Sequence, residues 1–558
     1  MKLSTLILAL FTVASHLTVG STQGTFDLIA NFREPKNILF ACNIGGSSHI
    51  VWVLEILEEL AARGHHVSFY TREDQAKFIQ NYPSVELVLN GPALFQPEES
   101  RALLERLISM EVVKGVLEKE QLILMNIKEE YYKFQKTIDQ KKIDVVLCDY
   151  LNVASVEAAK SAGIPNVITV TMVMGPDVSA PYINTNFFNV HHPMSKGVPF
   201  HERLVDRVIN PLRYYIGARF FADQFTQEQM SVGIEPKLSV LERWEDSMKI
   251  VNSVFGFEFP RPMGPLVELI GPIVPRTYPT LNDELQTFLD HRLKVVYVAF
   301  GQLTVPTPSE IKFILTALLE NMETKYIDGI IWSTRGIREH FPDIITTRTN
   351  TTYDINNFFT NPTDDSNIAF VNWAPQVAIL HHPSTCLFLT HGGAGSLYES
   401  MHAAVPIAVF PYFSDQPATA ISAEEHGTGR WLRRTLRQDQ ATDLIKEIVD
   451  DTVGKYRRNV DRFKALVQIR NAHGKQRGAD LVEEAIFTHV NGKLKHRRDI
   501  RRDLSFFKAY NLDIYSFVLV SLVTFAYGIY RFVFMLYRMA FNAVSVPRMA
   551  LDKDLKAN

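Results

Sequence analysis

The sequence predicts an α/β protein: two doubly wound domains facing each other across a cleft, followed by one C-terminal transmembrane helix. Three observations carry this. In both halves, short runs rich in Val, Ile and Leu alternate with stretches of helical period, the pattern of parallel sheets covered by helices. A segment dense in Pro and Gly separates the halves. Near the end lies an uncharged run of membrane-spanning length. With 558 residues, 46% hydrophobic and 21% charged, the chain can build two ordinary cores. The formal net charge of -3 gives no electrostatic reason to expect a nucleic-acid partner. Three cysteines (Cys42, Cys148 and Cys386) sit in apolar strand-like runs, which excludes a disulfide framework and points to buried, inert thiols.

Residues 1–20 read as a cleavable secretory signal: Lys2, an apolar stretch from Leu6 to Val13, then small residues around Gly20. Residues 21–270 form the first expected domain. NILFAC (Asn37 to Cys42) is a strand, followed by a GGSS loop and a helix from about His49 to Arg63, with Ile50, Val53, Leu54, Leu57 and Leu60 on its apolar face and Gly64 as its stop. HHVSFYT completes a βαβ unit, and IDVVLCD (Ile143 to Asp149) and NVITV are later strands of the same sheet. From about Met174 to Val240 the pattern loosens and aromatics cluster; His191-His192 lies in an aromatic-rich loop suited to lining an acceptor pocket rather than to holding a metal. The boundary falls in FEFPRPMGPLVELIGPIVP (Phe257 to Pro275). In the second domain, residues 271–490, VVYVAFG, IDGIIWST, NIAFVNW, CLFLTHGG and IAVFPYF read as buried parallel strands. A basic segment follows at 491–513, then the span at 514–537, in which Arg531 is expected to snorkel to the head groups, and a tail at 538–558. A signal plus one late span places the domains in the lumen and the tail in the cytosol. The sequon Asn350-Thr351-Thr352 fits that route, whereas the basic KLKHRRDIRR (Lys493 to Arg502) runs against the positive-inside rule.

In open parallel sheets ligands bind at the carboxyl ends of strands. After CLFLT, the residues His391-Gly392-Gly393-Ala394-Gly395-Ser396 run into a helix, SLYESMHAA. Glycines allow close backbone approach, and an open helix start offers free N–H groups, which suits a diphosphate. The same loop also serves as packing punctuation in such folds, and Ser396 to Glu399 alone reads as a capping box. Upstream, Trp373-Ala-Pro-Gln376 sets an aromatic face in a proline-fixed loop; downstream, Asp415 and Gln416 sit at a strand end, able either to grip sugar hydroxyls or simply to begin a helix at Pro417. In the first domain, His49 starts a helix whose dipole favours a neutral imidazole, and Asp149 ends a strand on the same rim, with Asp144 at the far end. His65 and His66 lie beyond that helix.

WAPQ, THGGAGSLYE and PYFSDQP, spanning residues 373–416, resemble the donor-binding signature of the UDP-glycosyltransferase family, which includes the UDP-glucuronosyltransferases. IGGSSHIVWVLEILEELAARGHHV, GFEFPRPMGP and RRDLSFFKAYNLDIYSFVLV extend the likeness over nearly the whole chain, toward the membrane-bound branch. The resemblance implies Rossmann-like domains of the GT-B type. It also implies that Trp373 stacks on uracil, Gln376 contacts the nucleoside, His391, Gly393 and Ser396 bind the diphosphate, Glu399 holds the ribose, and Asp415 and Gln416 bind the transferred sugar. It further makes His49 the base and Asp149 its partner. One position departs: the family often carries Asn where this chain has Gly395, which leaves the sugar, glucose or glucuronic acid, open.

The expected chemistry is direct displacement at the anomeric carbon with inversion. His49 takes the acceptor proton, and the loop after CLFLT stabilises the leaving UDP. No Asp-x-Asp motif occurs in the lumenal part, so neither metal nor cofactor is expected beyond the UDP-sugar co-substrate. The expected partners are a small lipophilic acceptor and the membrane, that of the endoplasmic reticulum or another secretory compartment; a homo-oligomer is allowed but not required. The competing readings are a UDP-sugar epimerase or hydrolase on the same fold, and a non-catalytic module binding a nucleotide sugar or lipid.

Overall fold

The computed structural model describes residues 32–183, 194–237, 239–302, 304–360 and 366–554. The signal segment 1–20 and the His191-His192 pair lie outside them. The first sheet has seven parallel strands: β1 Asn37–Ala41, β2 His66–Thr71, β3 Glu86–Leu89, β4 Val145–Asp149, β5 Asn166–Val170, β6 Met248–Val251 and β7 Val267–Leu269, in the order β3-β2-β1-β4-β5-β6-β7. The order turns at β1, which pairs with β2 on one side and β4 on the other. This switch point places the carboxyl ends of β1 and β4 together. Both faces of β1 and β4 are covered, which is why they read as unbroken apolar runs.

The second sheet has six parallel strands: β8 Val295–Ala299, β9 Gly329–Ser333, β12 Ile368–Val371, β13 Thr385–Thr390, β14 Ile407–Val409 and β15 Gly429–Trp431, in the order β12-β9-β8-β13-β14-β15. Between β9 and β12 lies an antiparallel hairpin, β10 Ile344–Thr346 and β11 Thr352–Asp354, with Asn350 exposed in its turn. Four helices build the cleft and join the domains: α1 Ser47–Ala62, α2 Ala394–Ala403, α3 Gln416–His426 and α4 Lys455–Thr488.

Helix α4 ties the two halves together. Its Val460 and Val467 pack in the second domain's core with Tyr398 and Met401. Its Ala479, Leu481, Val482, Ala485 and Ile486 pack in the first domain's core with Ile50 and Ile56 of α1. Two glycines permit that approach: a Cβ on Gly478 would stand 2.5 Å from Ile56 Cδ1, and one on Gly474 would stand 2.9 Å from the Ile270 carbonyl oxygen. An interior glycine costs a helix roughly 1 kcal/mol against alanine, and here close packing explains its presence. Beside this seam, the buried Glu483 bonds Arg33 at 2.6 Å, Arg63 at 2.7 Å and His65 Nε2 at 3.1 Å, so His65 is a structural histidine.

The basic segment 491–513 is largely exposed but is tied to the protein by ion pairs. It lies along the first domain, with Lys493 on Asp246 (2.8 Å), His496 and Arg497 on Glu484 (2.9 Å each), and Arg502 on Asp177 (2.6 Å) and Asp246 (3.2 Å). A 43-residue helix, Leu512–Asp554, follows. Its stretch Leu512–Asn542 is, by length and composition, apolar enough to cross a membrane, with mean hydropathy 1.8 and none of it buried. That stretch runs past the expected end at Tyr537 and takes in Arg538.

Candidate active site

Because β1 and β4 are neighbours, the loop after β1 delivers α1 to the rim where β4 ends, and the third residue of α1 meets the last residue of β4. His49 Nδ1 lies 2.8 Å from Asp149 Oδ2. Asp149 is 2% exposed, and its other oxygen accepts the Leu151 amide at 3.0 Å, which fixes the carboxylate plane. A carboxylate only accepts hydrogen bonds, so in the tautomer that this pairing favours Nδ1 carries the proton and Nε2 keeps its lone pair. Asp144, at the opposite end of the strand, accepts the Asn37 amide at 2.7 Å and takes no part. The imidazole packs on the backbone of Gly45, whose φ is 135°; a Cβ there would stand 2.4 Å from His49 Cγ. The Tyr150 ring stacks on it, centroids 5.1 Å apart and planes 22° apart.

In the second domain, Gly393 caps α2, and no side chain closes the helix start. Ser396 lies inside the first turn, buried, and accepts from Gln376 Nε2 at 3.4 Å, while Glu399 accepts from the same nitrogen at 2.6 Å. The capping-box reading of Ser396 and Glu399 therefore fails: α2 begins two residues earlier, at Ala394, and both side chains are spent on Gln376. Tyr297 adds a bond to Gln376 Oε1 at 3.4 Å. Burial pushes the Glu399 carboxyl up to about 7, against the lowering effect of the Gln376 bond. Burial also pushes His391 down to about 4, so its imidazole is neutral at pH 7 and can donate one N–H. His391 is wedged between glycines, since a Cβ on Gly301 would stand 2.6 Å from its Cε1 and one on Gly393 2.6 Å from its Nε2.

Asp415 caps α3, and the Ala394 amide at the start of α2 acts to lower the pKa of its carboxyl, so the two strand-end loops lie side by side. Burial raises its pKa; His49 and Lys119, both from the first domain, act in the opposite direction. The residues of the first-domain rim and those of the second-domain loops therefore face each other across the cleft. Gln416 is buried, its Oε1 accepting from the amides of Tyr412 (2.8 Å) and Phe413 (3.1 Å), which leaves its NH2 group for a ligand. Trp373 is 61% exposed after β12, and the Arg335 guanidinium stands 4.8 Å from its ring. At Gly395 a Cβ would meet only Ser48 Cβ, at 4.0 Å, so the missing Asn leaves open space against the first domain. Among the described residues no group of three or more His, Cys, Asp or Glu could hold a metal ion.

The structure thus gathers His49 and Asp149 on one rim, and Trp373, Gln376, His391, Gly393, Ser396, Glu399, Asp415 and Gln416 on the other. Sequence reading missed Gly45, Tyr150, Lys119, Gly301 and Arg335. Gly45 had a signal as the first glycine of the GGSS loop, Gly301 as the glycine ending the run VVYVAFG, and Tyr150 as an aromatic directly after Asp149. Lys119 and Arg335 had none.

The profile of the family described as UDP-glucoronosyl and UDP-glucosyl transferase matches residues 42–545. UDP-glycosyltransferase stmC of Aspergillus ustus is 26% identical over 534 residues, covering 90% of this chain and 98% of its own. UDP-glucuronosyltransferase 2B33 of Macaca mulatta is 23% identical over 516 residues, covering 86% and 89%. Among solved structures, the calicheamicin glycosyltransferase CalG4 superposes with a TM-score of 0.55 at 19% identity, covering 81% of this chain and 99% of that one. It shares the two-domain GT-B fold.

Proposed function

The chain belongs to the UDP-glucuronosyl and UDP-glucosyl transferase family and is a glycosyltransferase, and from that premise we propose that it moves a hexosyl group, glucose or glucuronic acid, from a UDP-sugar to a hydroxyl of a small lipophilic acceptor with inversion. The observation that carries the reading is the His49–Asp149 hydrogen bond of 2.8 Å at the cleft, opposite the open start of α2. Nε2 takes the acceptor proton as its oxygen attacks the anomeric carbon. Asp149 stabilises the imidazolium that forms, and the sugar–phosphate bond breaks from the opposite face. Leaving UDP gains negative charge where the amides of Gly395 and Ser396 and the N–H of neutral His391 can meet it, which supports chemistry without a metal. Trp373 offers uracil a ring face, Gln376 and Glu399 contact the nucleoside, and Asp415 with the Gln416 NH2 holds sugar hydroxyls.

The span at the end of the chain, with the expected signal at its start, supports a cleft in the lumen of the endoplasmic reticulum or another secretory compartment, with the tail cytosolic. A membrane-bound cleft favours acceptors that partition into lipid. The test is UDP release by membranes bearing wild type or His49→Ala, offered UDP-glucose and UDP-glucuronic acid separately with a panel of phenols and sterols. Acceptor-dependent release that disappears in His49→Ala supports transfer and names the donor. Retained UDP binding with no turnover of either donor overturns it in favour of a binding module.

A further inference from the structure

We infer that Tyr150 is a positioning residue for His49, holding the imidazole in its working orientation and stabilising it once protonated. This rests on the proposal that His49 is the base. The Asp149 bond leaves the ring free to swing about the Nδ1···Oδ2 axis, and a base that swings loses alignment with the acceptor. Two contacts remove that freedom: the backbone of Gly45, which has no room for a Cβ, and the stacked ring of Tyr150. Tyr150 is itself held, being 8% exposed with Trp244 edge-on to it, centroids 6.3 Å apart and planes at 84°. Trp244 is fully buried in the first domain's core. A chain of three rings, His49 to Tyr150 to Trp244, thus runs from the cleft into rigid packing.

The stack also has an electrostatic consequence. An aromatic face attracts a cation over it, so Tyr150 favours imidazolium over imidazole and helps the proton transfer along. Burial, with the neighbouring Asp149 and Asp415 carboxylates, pushes the Tyr150 hydroxyl well above its usual range, so the ring stays a neutral phenol throughout. Charged groups that act on or beside His49 include Asp149 on β4 and Asp415 across the cleft, and Lys119 of the helix Val112–Leu124 also acts on Asp415. None of these is altered by substituting Tyr150. Because the phenol is not asked to ionise or to bond His49, the ring alone should suffice.

The experiment compares Tyr150→Phe and Tyr150→Leu with wild type and His49→Ala in the same membranes. It measures kcat and KM for the UDP-sugar against pH, together with pH-dependent acylation of His49 by diethyl pyrocarbonate read by mass spectrometry. Tyr150→Phe should keep kcat within about twofold. Tyr150→Leu should lose about threefold to thirtyfold in kcat, the range a cation–π contact spans, with KM unchanged. Its acid limb and the acylation midpoint of His49 should both move to lower pH, since the imidazolium has lost a stabilising neighbour. Wild-type kcat and midpoint in Tyr150→Leu, beside an inactive His49→Ala, overturn the role of Tyr150 alone. A fully active His49→Ala overturns the base assignment beneath it. If Tyr150→Phe falls as far as Tyr150→Leu, the hydroxyl rather than the ring is at work and the inference fails.

Discussion

Replacing Asp149 by Asn isolates what the buried carboxylate contributes. The side chain keeps its shape, but its carboxamide is neutral and can present N–H to His49 Nδ1. That would force the proton onto Nε2 and remove the lone pair the reaction needs. The charge term alone is large. With hydrogen-bonded atoms 2.8 Å apart, the centres of a carboxylate and an imidazolium lie about 4 Å apart, which at an effective dielectric constant near 20 is worth about 4 kcal/mol. If most of that is realised in the transition state, Asp149→Asn loses on the order of a thousandfold in kcat. The donor contacts lie on the other domain, so KM for the UDP-sugar should stay within about threefold. Steady-state UDP release at saturating acceptor, with UDP binding by calorimetry as a folding control, reads both quantities. A kcat within about fivefold of wild type, with calorimetry normal, would refute the reasoning.

Other outcomes follow from the same geometry. Trp373→Ala should weaken UDP binding about tenfold, the loss of one stacking face, measured by calorimetry; unchanged affinity would remove Trp373 from the site. Chelation with EDTA should leave UDP release unchanged, whereas loss restored by a divalent cation would contradict metal-free transfer. Gly478→Ala should lower the Tm of detergent-solubilised protein despite alanine's better helix propensity, because its Cβ would stand 2.5 Å from Ile56 and overpacking typically costs about 1–3 kcal/mol; a higher Tm would mean that the α1–α4 seam yields. Burial alone would raise the Glu483 pKa, but bonds from Arg33, His65 and Arg63 outweigh it and hold the carboxyl below its usual range. Its ionised form therefore stabilises the fold above the unfolded value of about 4.3, and that contribution fades as pH falls below it. The Tm gap between wild type and Glu483→Gln should be full at neutral pH and shrink toward pH 3; a gap independent of pH would show that the ion cluster contributes nothing.

The parts of the fold that were legible are those where local pattern and burial agree. β1, β4, β8 and β13 are covered on both faces, so each reads as a continuous apolar run, and the strand–loop–helix order by itself puts His49 and Asp149 on one rim. Three features were illegible for physical reasons. Helix α4 serves two cores in succession, so its buried positions follow no single face, and its glycines look like breaks until Ile56 and Ile270 are seen against them. The stretch around Asn210–Ser231 forms a helix although its period is obscured, because Leu212, Ile216 and Phe220 point outward, 56%, 51% and 82% exposed. The ion pairs of the basic segment before the span were not readable because its partners, Asp177, Asp246 and Glu484, are distant in sequence. In the site, motif residues were visible, but what they spend their hydrogen bonds on was not. Ser396 and Glu399 serve Gln376, and Gln416 commits its oxygen to the turn before α3.

The most direct test of inverting transfer through His49 is the anomeric configuration of the product. The enzyme would be given a UDP-α-sugar, its acceptor from the panel and, in a parallel reaction, His49→Ala, with the products read by proton NMR. Displacement with His49 as base gives only the β-linked glycoside, and none from His49→Ala. An α-linked product, or a β-linked product formed equally well without His49, would contradict it.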